Sequence, residues 1–344
     1  MQVDIIGGGL SGLATAISLK QHASSIEVFV HEKHKKIGFN HDARKCGEAH
    51  CIESFSLKWK PPAETIASPV YHGISIAGKK TIKSDRTPDT AWILDRPKYI
   101  AYLGKQAKQL GVEFVLNDRI IDPFSLSADV IVDASGCPSI VKKRLGIHHR
   151  FVGIGYQETI EHCSAFKSFT PKLTFEQHGG YYWVFPRHPE KKEVNVGVAM
   201  LYKTDIKLPP LLKAFKEKEN IKGLVNYTAG GLIPGGLQFP LRHKHIIFVG
   251  DAGVGTLPIN GQGIYRALLS GDIAGKYIAQ NDLRGYVHRI IRDFIKMDIV
   301  GKSYLRCNKL LSELSSELVV SSWNWYQSIN DRINFFKSEY DTIH

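Results

Sequence analysis

Three glycines and one carboxylate near the start of the chain have the types and spacing that bind a dinucleotide. Gly7, Gly9 and Gly12 fit the pattern G-x-G-x-x-G between an apolar strand, residues 3–6, and a helical stretch. Gly7 permits a tight turn, Gly9 lets the backbone approach a pyrophosphate, and Gly12 lets the helix pack closely on the strand. Glu32 ends the next strand 20 residues after Gly12, where an acidic side chain can bind both hydroxyls of an adenosine ribose.

Gly250 and Asp251 begin a second glycine-rich region, directly after the apolar residues 245–249. Asp251 follows the carboxyl end of that strand, where its side chain can hold a hydroxyl group of a cofactor. Residues 258–263, Pro-Ile-Asn-Gly-Gln-Gly, then open a helix, and a helix N-terminus favours negative charge. A helix N-terminus aimed at the pyrimidine edge of a flavin would stabilise the negative charge of the reduced flavin at N1, and this favours hydride chemistry at N5. Alone, this region is compatible with a simple strand-turn-helix connection; with the first motif it predicts FAD rather than NAD.

Composition places the chain among ordinary globular proteins. Its 344 residues suggest about two domains, with 43% hydrophobic and 23% charged residues. The formal charge of +12 favours an anionic partner, either a phosphorylated substrate or an anionic membrane surface. A lysine-rich surface that serves only solubility is the open alternative. No basic run is interleaved with aromatic residues, so we do not predict a nucleic-acid partner.

The cysteines and histidines predict neither a disulfide framework nor a metal site. The five cysteines are odd in number and match no zinc spacing, and the histidine pairs fit no helix face with a third ligand. The chain goes directly into a strand without a signal peptide, and no apolar run is long enough to span a bilayer. We therefore expect a cytoplasmic protein, with peripheral membrane association on the cytoplasmic face as an option.

The elements that must position these motifs predict a divided cofactor domain. Asp95 and Arg96 open a helix, a strand follows it, and Asp133 to Gly136 end a further strand in a polar turn. Residues 151–234 change to strand patterns. We therefore predict three regions: a cofactor domain from 1–60, 95–150 and 235–281, a mostly antiparallel substrate domain from 61–94 and 151–234, and C-terminal helices over 282–344.

The order of these motifs resembles the flavoprotein superfamily of para-hydroxybenzoate hydroxylase over about residues 1–280. Two further pieces are similar to the geranylgeranyl reductase family. These are Lys45-Cys46-Gly47-Glu48 and the run Tyr-Tyr-Trp-Val-Phe-Pro at 181–186. His178 stands where the family motif usually has proline, and the C-terminal region is shorter than in archaeal lipid reductases. These departures leave the exact substrate open.

The resemblance implies an α/β fold, with a Rossmann-like FAD-binding domain and an inserted antiparallel sheet. It implies hydrogenation of isoprenoid chains: geranylgeranyl groups of archaeal-type membrane lipids, geranylgeranyl diphosphate or a prenyl quinone. Cys46 could then donate a proton, gate flavin movement or only fill space. The aromatic strand would bind substrate through Tyr181, Trp183, Phe185 and Pro186. Motifs and resemblance together give the cofactor site as Gly7, Gly9, Leu10, Ser11, Gly12, Glu32, Lys33, Lys45, Cys46, Gly47, Arg96, Asp133, Gly136, Gly250, Asp251, Pro258, Gly261, Gln262 and Gly263.

Two other functions remain open from the sequence. A flavin-dependent monooxygenase or halogenase shares the scaffold, and halogenases also carry an aromatic motif with tryptophan and proline. A flavin- or lipid-binding protein without turnover is the second alternative. No separate nicotinamide fingerprint is present, so the electron donor could be NAD(P)H, a ferredoxin or another reductase.

Overall fold

The computed structural model describes residues 1–39, 46–51, 57–77, 80–86, 88–175, 180–201 and 205–312. The chain divides into two compact units. The first unit comprises residues 1–45, 96–153 and 232–302, and the second comprises 46–95, 154–231 and 303–344. The predicted domain boundaries differ from this division: residues 46–60 group with the second unit, and the predicted C-terminal region 282–344 is divided between the two units after residue 302.

A six-stranded, largely parallel sheet organises the first unit. Its strands are β1 (Gln2–Ile6), β2 (Glu27–Glu32), β8 (Glu113–Leu116), β9 (Val130–Asp133), β15 (Arg242–His243) and β16 (Ile246–Phe248). Their order is β15-β16-β9-β1-β2-β8, and only the β15–β16 pair is antiparallel among the registered pairs. The central strands β1, β9 and β16 are rich in buried Val and Ile residues, as a parallel sheet covered on both faces requires. This is the predicted Rossmann-like α/β fold.

The helices that accompany this sheet lie between its strands in the chain, except for the last two, which follow its final strand. They are α1 (Leu10–His22), α2 (Arg96–Gln109), α3 (Ile140–Arg144), α5 (Ile264–Ala279) and α6 (Leu283–Ser312), with the last extending from the first unit into the second. Helices α1 and α5 pack at backbone contact through two glycines four residues apart. A Cβ on Gly271 would lie 2.4 Å from the carbonyl oxygen of Ser11, and one on Gly275 would lie 2.5 Å from the amide nitrogen of Leu19.

Two sheets form the second unit. The larger has seven strands: β5 (His72–Ala77), β6 (Lys80–Asp85), β10 (Val152–Glu161), β11 (Lys172–Phe175), β12 (Gly180–Pro186), β13 (Val194–Met200) and β14 (Leu224–Pro234). Their order is β14-β10-β13-β12-β11-β5-β6, with β11 and β5 parallel and the other registered pairs antiparallel. The smaller sheet contains β3 (Ala49–Cys51), β4 (Ile66–Pro69) and β7 (Ala91–Leu94).

One helix lies within the region where strand patterns dominate the sequence. Helix α4 (Leu208–Lys218) packs Leu208, Leu212 and Phe215 into the core of the large sheet. The Phe215 ring stacks on Tyr182 of β12, with centroids 4.1 Å apart. Two prolines occupy its first turn, where the missing N–H groups need no partner. This helix covers one face of the large sheet and buries the alternate side chains of β12 and β13.

Candidate functional site

The first glycine loop leaves the start of α1 accessible to an anion. Gly9 is the N-cap of α1, and no described side chain caps that helix end. A Cβ on Gly9 would meet nothing within 4 Å, whereas one on Gly12 would lie 2.0 Å from the carbonyl oxygen of Gly7. Gly7 itself has a φ of +110°. The glycines therefore have the separate geometric roles that the motif predicts, and the uncapped N–H groups form an anion cradle.

Glu32 lies at the edge of this cradle with its carboxylate held in place. It is 7% exposed. Its Oε2 accepts a hydrogen bond from the Gly8 N–H at 2.9 Å, and its Oε1 accepts from the His34 N–H at 2.9 Å and contacts the His34 ring at 2.6 Å. Because each carboxylate oxygen has two lone pairs, these contacts leave acceptor capacity for ribose hydroxyls.

The second glycine motif touches the first inside this unit. Gly250 has a φ of +53°, and a Cβ there would lie 2.4 Å from the Ser11 hydroxyl. The Gly250 N–H donates to the Ser270 hydroxyl at 3.0 Å. The fold thus brings together two motifs that lie at opposite ends of the unit in sequence.

Asp251 and Arg96 are brought together at the same place. Burial raises the pKa of Asp251, while the positive charges of Arg96 and Arg266 act in the opposite direction. Arg96 begins α2, and its Nε is buried. Two nearby guanidinium groups offset the desolvation energy that an isolated buried carboxylate would cost, so Asp251 can stay ionised and accept a hydrogen bond from a hydroxyl group.

The segment before α5 ends in another helix start, which no side chain of the described residues caps. Gly263 is the N-cap of α5, and Asp251 Oδ1 would lie 3.8 Å from a Cβ on that glycine. The preceding loop is closed by the Leu257 N–H, which donates to the Gln262 carbonyl at 2.8 Å. Gly261 in this loop has a φ of +70°. Pro258, Gly261, Gln262 and Gly263 therefore lie in one tight turn that presents the N-terminus of a 16-residue helix.

Asp133 has a turn-capping role in the structure. It is fully buried, and its Oδ1 accepts from the Ser135 N–H at 3.0 Å and hydroxyl at 2.6 Å. Its Oδ2 accepts from the Ser139 hydroxyl and the Val141 N–H. Gly136, in the same turn, has a φ of +90° and open space at its Cβ position. A contact of Asp133 with a cofactor stays a prediction.

Lys142 is a structural residue that the sequence did not reveal. It is fully buried, and its Nζ donates to the carbonyls of Gln238 and Ala252, the latter at 2.6 Å. Burial lowers the pKa of Lys142 to about 8. The pKa of the neighbouring Cys137 thiol is instead raised to about 12, mainly by burial and further by the negative charge of Asp251. Lys142 therefore ties α3 to the Gly250–Ala252 turn.

A row of aromatic rings runs along β12 in the second unit. Tyr181, Trp183 and Phe185 lie on one face of the strand, with ring centroids 5.9 Å apart for the first pair and 6.3 Å for the second. Tyr181 and Trp183 are 8% and 7% exposed. The Trp183 indole N–H is buried and has no acceptor among the described residues. The alternation predicted from sequence therefore produces one continuous aromatic surface, with a donor available on it.

Two glycines give this aromatic row its shape. A Cβ on Gly47 would lie 2.9 Å from the Phe185 ring and 3.3 Å from Trp183 Nε1, so the Gly47 backbone lies directly against both rings. Gly197 pairs with Trp183 across β13 and β12. A Cβ on Gly197 would lie 2.1 Å from the indole, so the indole lies flat over a strand position without a side chain.

Cys46 lies next to the aromatic row through this loop. It is half-buried, and its Sγ accepts a hydrogen bond from the Glu48 N–H at 3.3 Å.

The remaining predicted cofactor residues lie in the first unit. Lys33 is exposed, and Leu10 and Ser11 lie in the first turn of α1. The predicted cofactor residue Lys45 lies outside the described residues, as does His178.

The described residues contain neither a cluster of metal-ligating side chains nor a helix that could cross a membrane. Among the residues with described structure, no three metal-ligating side chains lie together. Within the same part of the chain, no helix combines the length and the apolar character needed to cross a membrane.

Comparison with known proteins first defines the class. Residues 5–51 match the family model of the NAD(P)-binding Rossmann-like domain. A geranylgeranyl bacteriochlorophyll reductase-like protein from Thermoplasma acidophilum has the same fold, with a TM-score of 0.77, 18% identity, and coverage of 97% of this chain and 98% of that one. The flavin-dependent halogenase CmlS matches with a TM-score of 0.69, 14% identity, and coverage of 96% and 71%. The chain thus has the fold of flavin-dependent enzymes.

Similarity in sequence narrows this class. The digeranylgeranylglycerophospholipid reductase of Methanocella arvoryzae is 26% identical over 80% of this chain and 77% of its own length. That of Methanocaldococcus jannaschii is 24% identical over 92% and 88%. The resemblance to the geranylgeranyl reductase family, predicted from short motifs, is therefore confirmed over most of the chain.

Proposed function

We propose that the protein is an FAD-dependent reductase that saturates double bonds in the isoprenoid chains of archaeal-type phospholipids. The observation that carries this proposal is the aromatic row of Tyr181, Trp183 and Phe185, with the Cys46–Gly47 loop packed against it. Similarity to digeranylgeranylglycerophospholipid reductases over 80% and 92% of the chain supports the substrate class. The other prenyl substrates, geranylgeranyl diphosphate and a prenyl quinone, are alternatives that the same assay separates.

The first unit fits an FAD molecule. Two glycine-initiated helices without side-chain caps, α1 and α5, provide places for negative charge. The open position at Gly9 leaves room for a pyrophosphate, and Glu32 can accept hydrogen bonds from a ribose. Asp251 and Arg96 can bind hydroxyl and phosphate groups between those helices.

Reduction of an isolated alkene adds a hydride to one carbon and a proton to the other. A bound, reduced flavin supplies the hydride from N5. The aromatic faces of Tyr181 and Trp183 can shelter the positive charge that develops on the alkene, and their bulk binds an apolar chain. Phe185 extends the same apolar surface. Pro186 is the next residue of β12, so strand alternation places it on the opposite face. A nearly dry surface also excludes water from the developing cation.

Cys46 is the proposed proton donor in this reaction. Its thiol lies in the loop whose next residue, Gly47, rests on Trp183 and Phe185. A thiol can release a proton to a carbon centre and recover it from solvent through its exposed side. Replacement of Cys46 by alanine therefore lowers the rate of lipid saturation without loss of flavin.

The electron donor and the membrane contact are proposed only by class. A nicotinamide or a ferredoxin can reduce the flavin. The charge of +12 favours peripheral binding to anionic lipid, where the substrate is found.

The test is anaerobic reoxidation of the dithionite-reduced, flavin-loaded protein. We expect digeranylgeranylglycerophospholipid in detergent to restore the oxidised flavin spectrum without oxygen. Saturated lipid used as the matched control leaves the flavin reduced. Turnover only in air, with an aromatic substrate, would instead identify a monooxygenase or halogenase, and no substrate-dependent reoxidation at all would identify a binding protein.

A further inference from the structure

A buried ionic cluster lies in the second unit, at the end of the aromatic strand. Arg187 lies between two carboxylates: its Nε is 2.8 Å from Glu48 Oε2, and its Nη1 donates to Glu193 Oε1. Arg187, Glu48 and Glu193 are 3%, 1% and 4% exposed. The cluster follows Pro186 directly and so connects the aromatic row to the loop that carries Cys46.

Asn195 holds the same loop from a neighbouring strand. Its Nδ2 donates to Glu48 Oε2 at 2.9 Å and to the Gly47 carbonyl at 3.4 Å. Its Oδ1 accepts from the Thr159 hydroxyl at 2.8 Å, which fixes the orientation of the amide. Asn195 and Thr159 are both fully buried. Glu48 Oε2 is therefore held by a hydrogen bond from Asn195 of β13 and by an ion pair with Arg187, which lies in the connection between β12 and β13.

Stability alone does not account for this cluster. The three ionisable side chains are buried, and desolvation costs several kcal/mol per ion. Apolar residues of similar volume often give equal or greater stability at such positions. Its contacts converge on residues 47 and 48, which points to a role in holding that loop.

The loop is held where it meets the thiol. Glu48 has a φ of +65°, a conformation that favours glycine. Its carbonyl accepts from the Leu94 N–H at 2.9 Å, and its own N–H donates to Cys46 Sγ at 3.3 Å. The direction of that N–H depends on the backbone conformation at Glu48, which the clamped carboxylate maintains.

We infer that Glu48, clamped by Arg187 and Asn195, is a positioning residue that sets the orientation of the Cys46 thiol. The inference rests on the proposed function only for the part that this thiol plays in reduction. The clamp itself is a property of the second unit, and it can be tested without any lipid substrate.

The first test measures alkylation of Cys46 by iodoacetamide in the flavin-loaded protein, followed by peptide mass spectrometry. Glu48→Gly removes the carboxylate and keeps the left-handed backbone without strain, whereas Glu48→Gln keeps an acceptor for Asn195. We expect alkylation to become about fivefold faster in Glu48→Gly, the size expected for one lost hydrogen bond. Glu48→Gln should stay within about twofold of the parent protein, since it preserves that hydrogen bond.

The matched control is Lys172→Met in the same unit. It breaks an ion pair in which Lys172 Nζ lies 2.5 Å from Glu219 Oε2. It leaves the Cys46 alkylation rate unchanged. If Glu48→Gly folds poorly, Asn195→Ser removes the other half of the clamp and should accelerate alkylation as well. An unchanged or slower rate in the folded clamp variants would overturn the inference.

The second test is a double-mutant cycle on lipid saturation. Glu48→Gly should lower kcat about tenfold with KM unchanged, since a misplaced reacting group loses rate rather than binding. In a Cys46→Ala background, Glu48→Gly should have no further effect. Equal losses in both backgrounds would show that Glu48 does not act through the thiol. If the parent protein reduces no prenyl lipid, the proposed function fails, while the alkylation result still decides the positioning role.

Discussion

Replacement of Gly197 by alanine tests the shape of the aromatic row. A Cβ at this position would lie 2.1, 2.3 and 2.7 Å from three carbons of the Trp183 indole. Carbon atoms in contact prefer about 3.5–4.0 Å, so the indole must move by more than about 1 Å. Trp183 is 7% exposed, and its neighbours on both sides are aromatic rings, so the displacement extends along the row.

The expected magnitudes follow from overpacking. A buried methyl group without room costs about 1–3 kcal/mol of unfolding free energy. A displacement of about 1 Å in a group that orients substrate can cost on the order of 10²-fold in rate. We therefore expect Gly197→Ala to lower kcat/KM for the prenyl lipid more strongly than stability, with the flavin content unchanged because the glycine loops lie in the other unit.

Gly231→Ala is the matched control on the same sheet. It also adds one methyl group to a strand glycine, but nothing lies within 4 Å of the new Cβ. The assay compares urea unfolding, tryptophan fluorescence and anaerobic lipid reduction for the two variants. If Gly197→Ala has the stability, fluorescence and activity of Gly231→Ala, the indole does not lie against β13 and the described row is wrong.

Three further predictions concern the cofactor cradle and pH. Gly9→Ala should keep the unfolding free energy of the parent protein, because nothing lies within 4 Å of the new methyl group. It should bind FAD more weakly, since the methyl group fills the space proposed for the pyrophosphate. Flavin titration and urea unfolding check this, and a destabilised protein with normal FAD affinity would contradict it. Gly271→Ala should lose stability by about 1–3 kcal/mol, as for other overpacked sites, because its Cβ would lie 2.4 Å from the Ser11 carbonyl oxygen; an unfolding curve that superposes on that of Gly9→Ala would refute the close packing of α1 and α5. Burial lowers the pKa of His50 and of His149 to about 4. Between pH 6.5 and 4 the unfolded chain therefore binds more protons than the folded protein. As the pH falls below 6.5, the free energy of unfolding should decrease by up to about 1.4 kcal/mol per pH unit for each histidine. Urea midpoints measured from pH 7 to pH 4.5 check the slope, and His50→Phe should make it shallower; equal midpoints across this range would exclude the buried neutral state.

The glycine cradle of the first unit was readable from sequence because its signals are local. The glycines at 7, 9 and 12 act through their own backbone and the adjacent helix, so their spacing is sufficient to predict the cradle. The pairing of Gly250 with Ser11 follows only from the packing of α5 on α1, which no local pattern indicates. Asp133 engages both its carboxylate oxygens in a turn, and its contact with a cofactor stays a prediction.

The aromatic row of the second unit depended more strongly on tertiary structure. Strand alternation predicted one face for Tyr181, Trp183 and Phe185. The glycines at 47 and 197 against those rings, and the clamp on Glu48, arise from strand register and loop packing. The helix Leu208–Lys218 was also missed, although a proline pair in its first turn is a recognised start signal. Arg187 and Asn195 gave no sequence signal, since each needs a partner from a different strand or loop.

Transfer of hydrogen to an isoprenoid double bond is the proposed activity of this protein. It is measured most directly as the mass of a digeranylgeranylglycerophospholipid after anaerobic incubation with the reduced, flavin-loaded protein. We expect a gain of two hydrogen atoms for each bond saturated, and a strong loss of product with Cys46→Ala despite normal flavin content. A lipid of unchanged mass, with a flavin that is reoxidised only when oxygen is admitted, would contradict it.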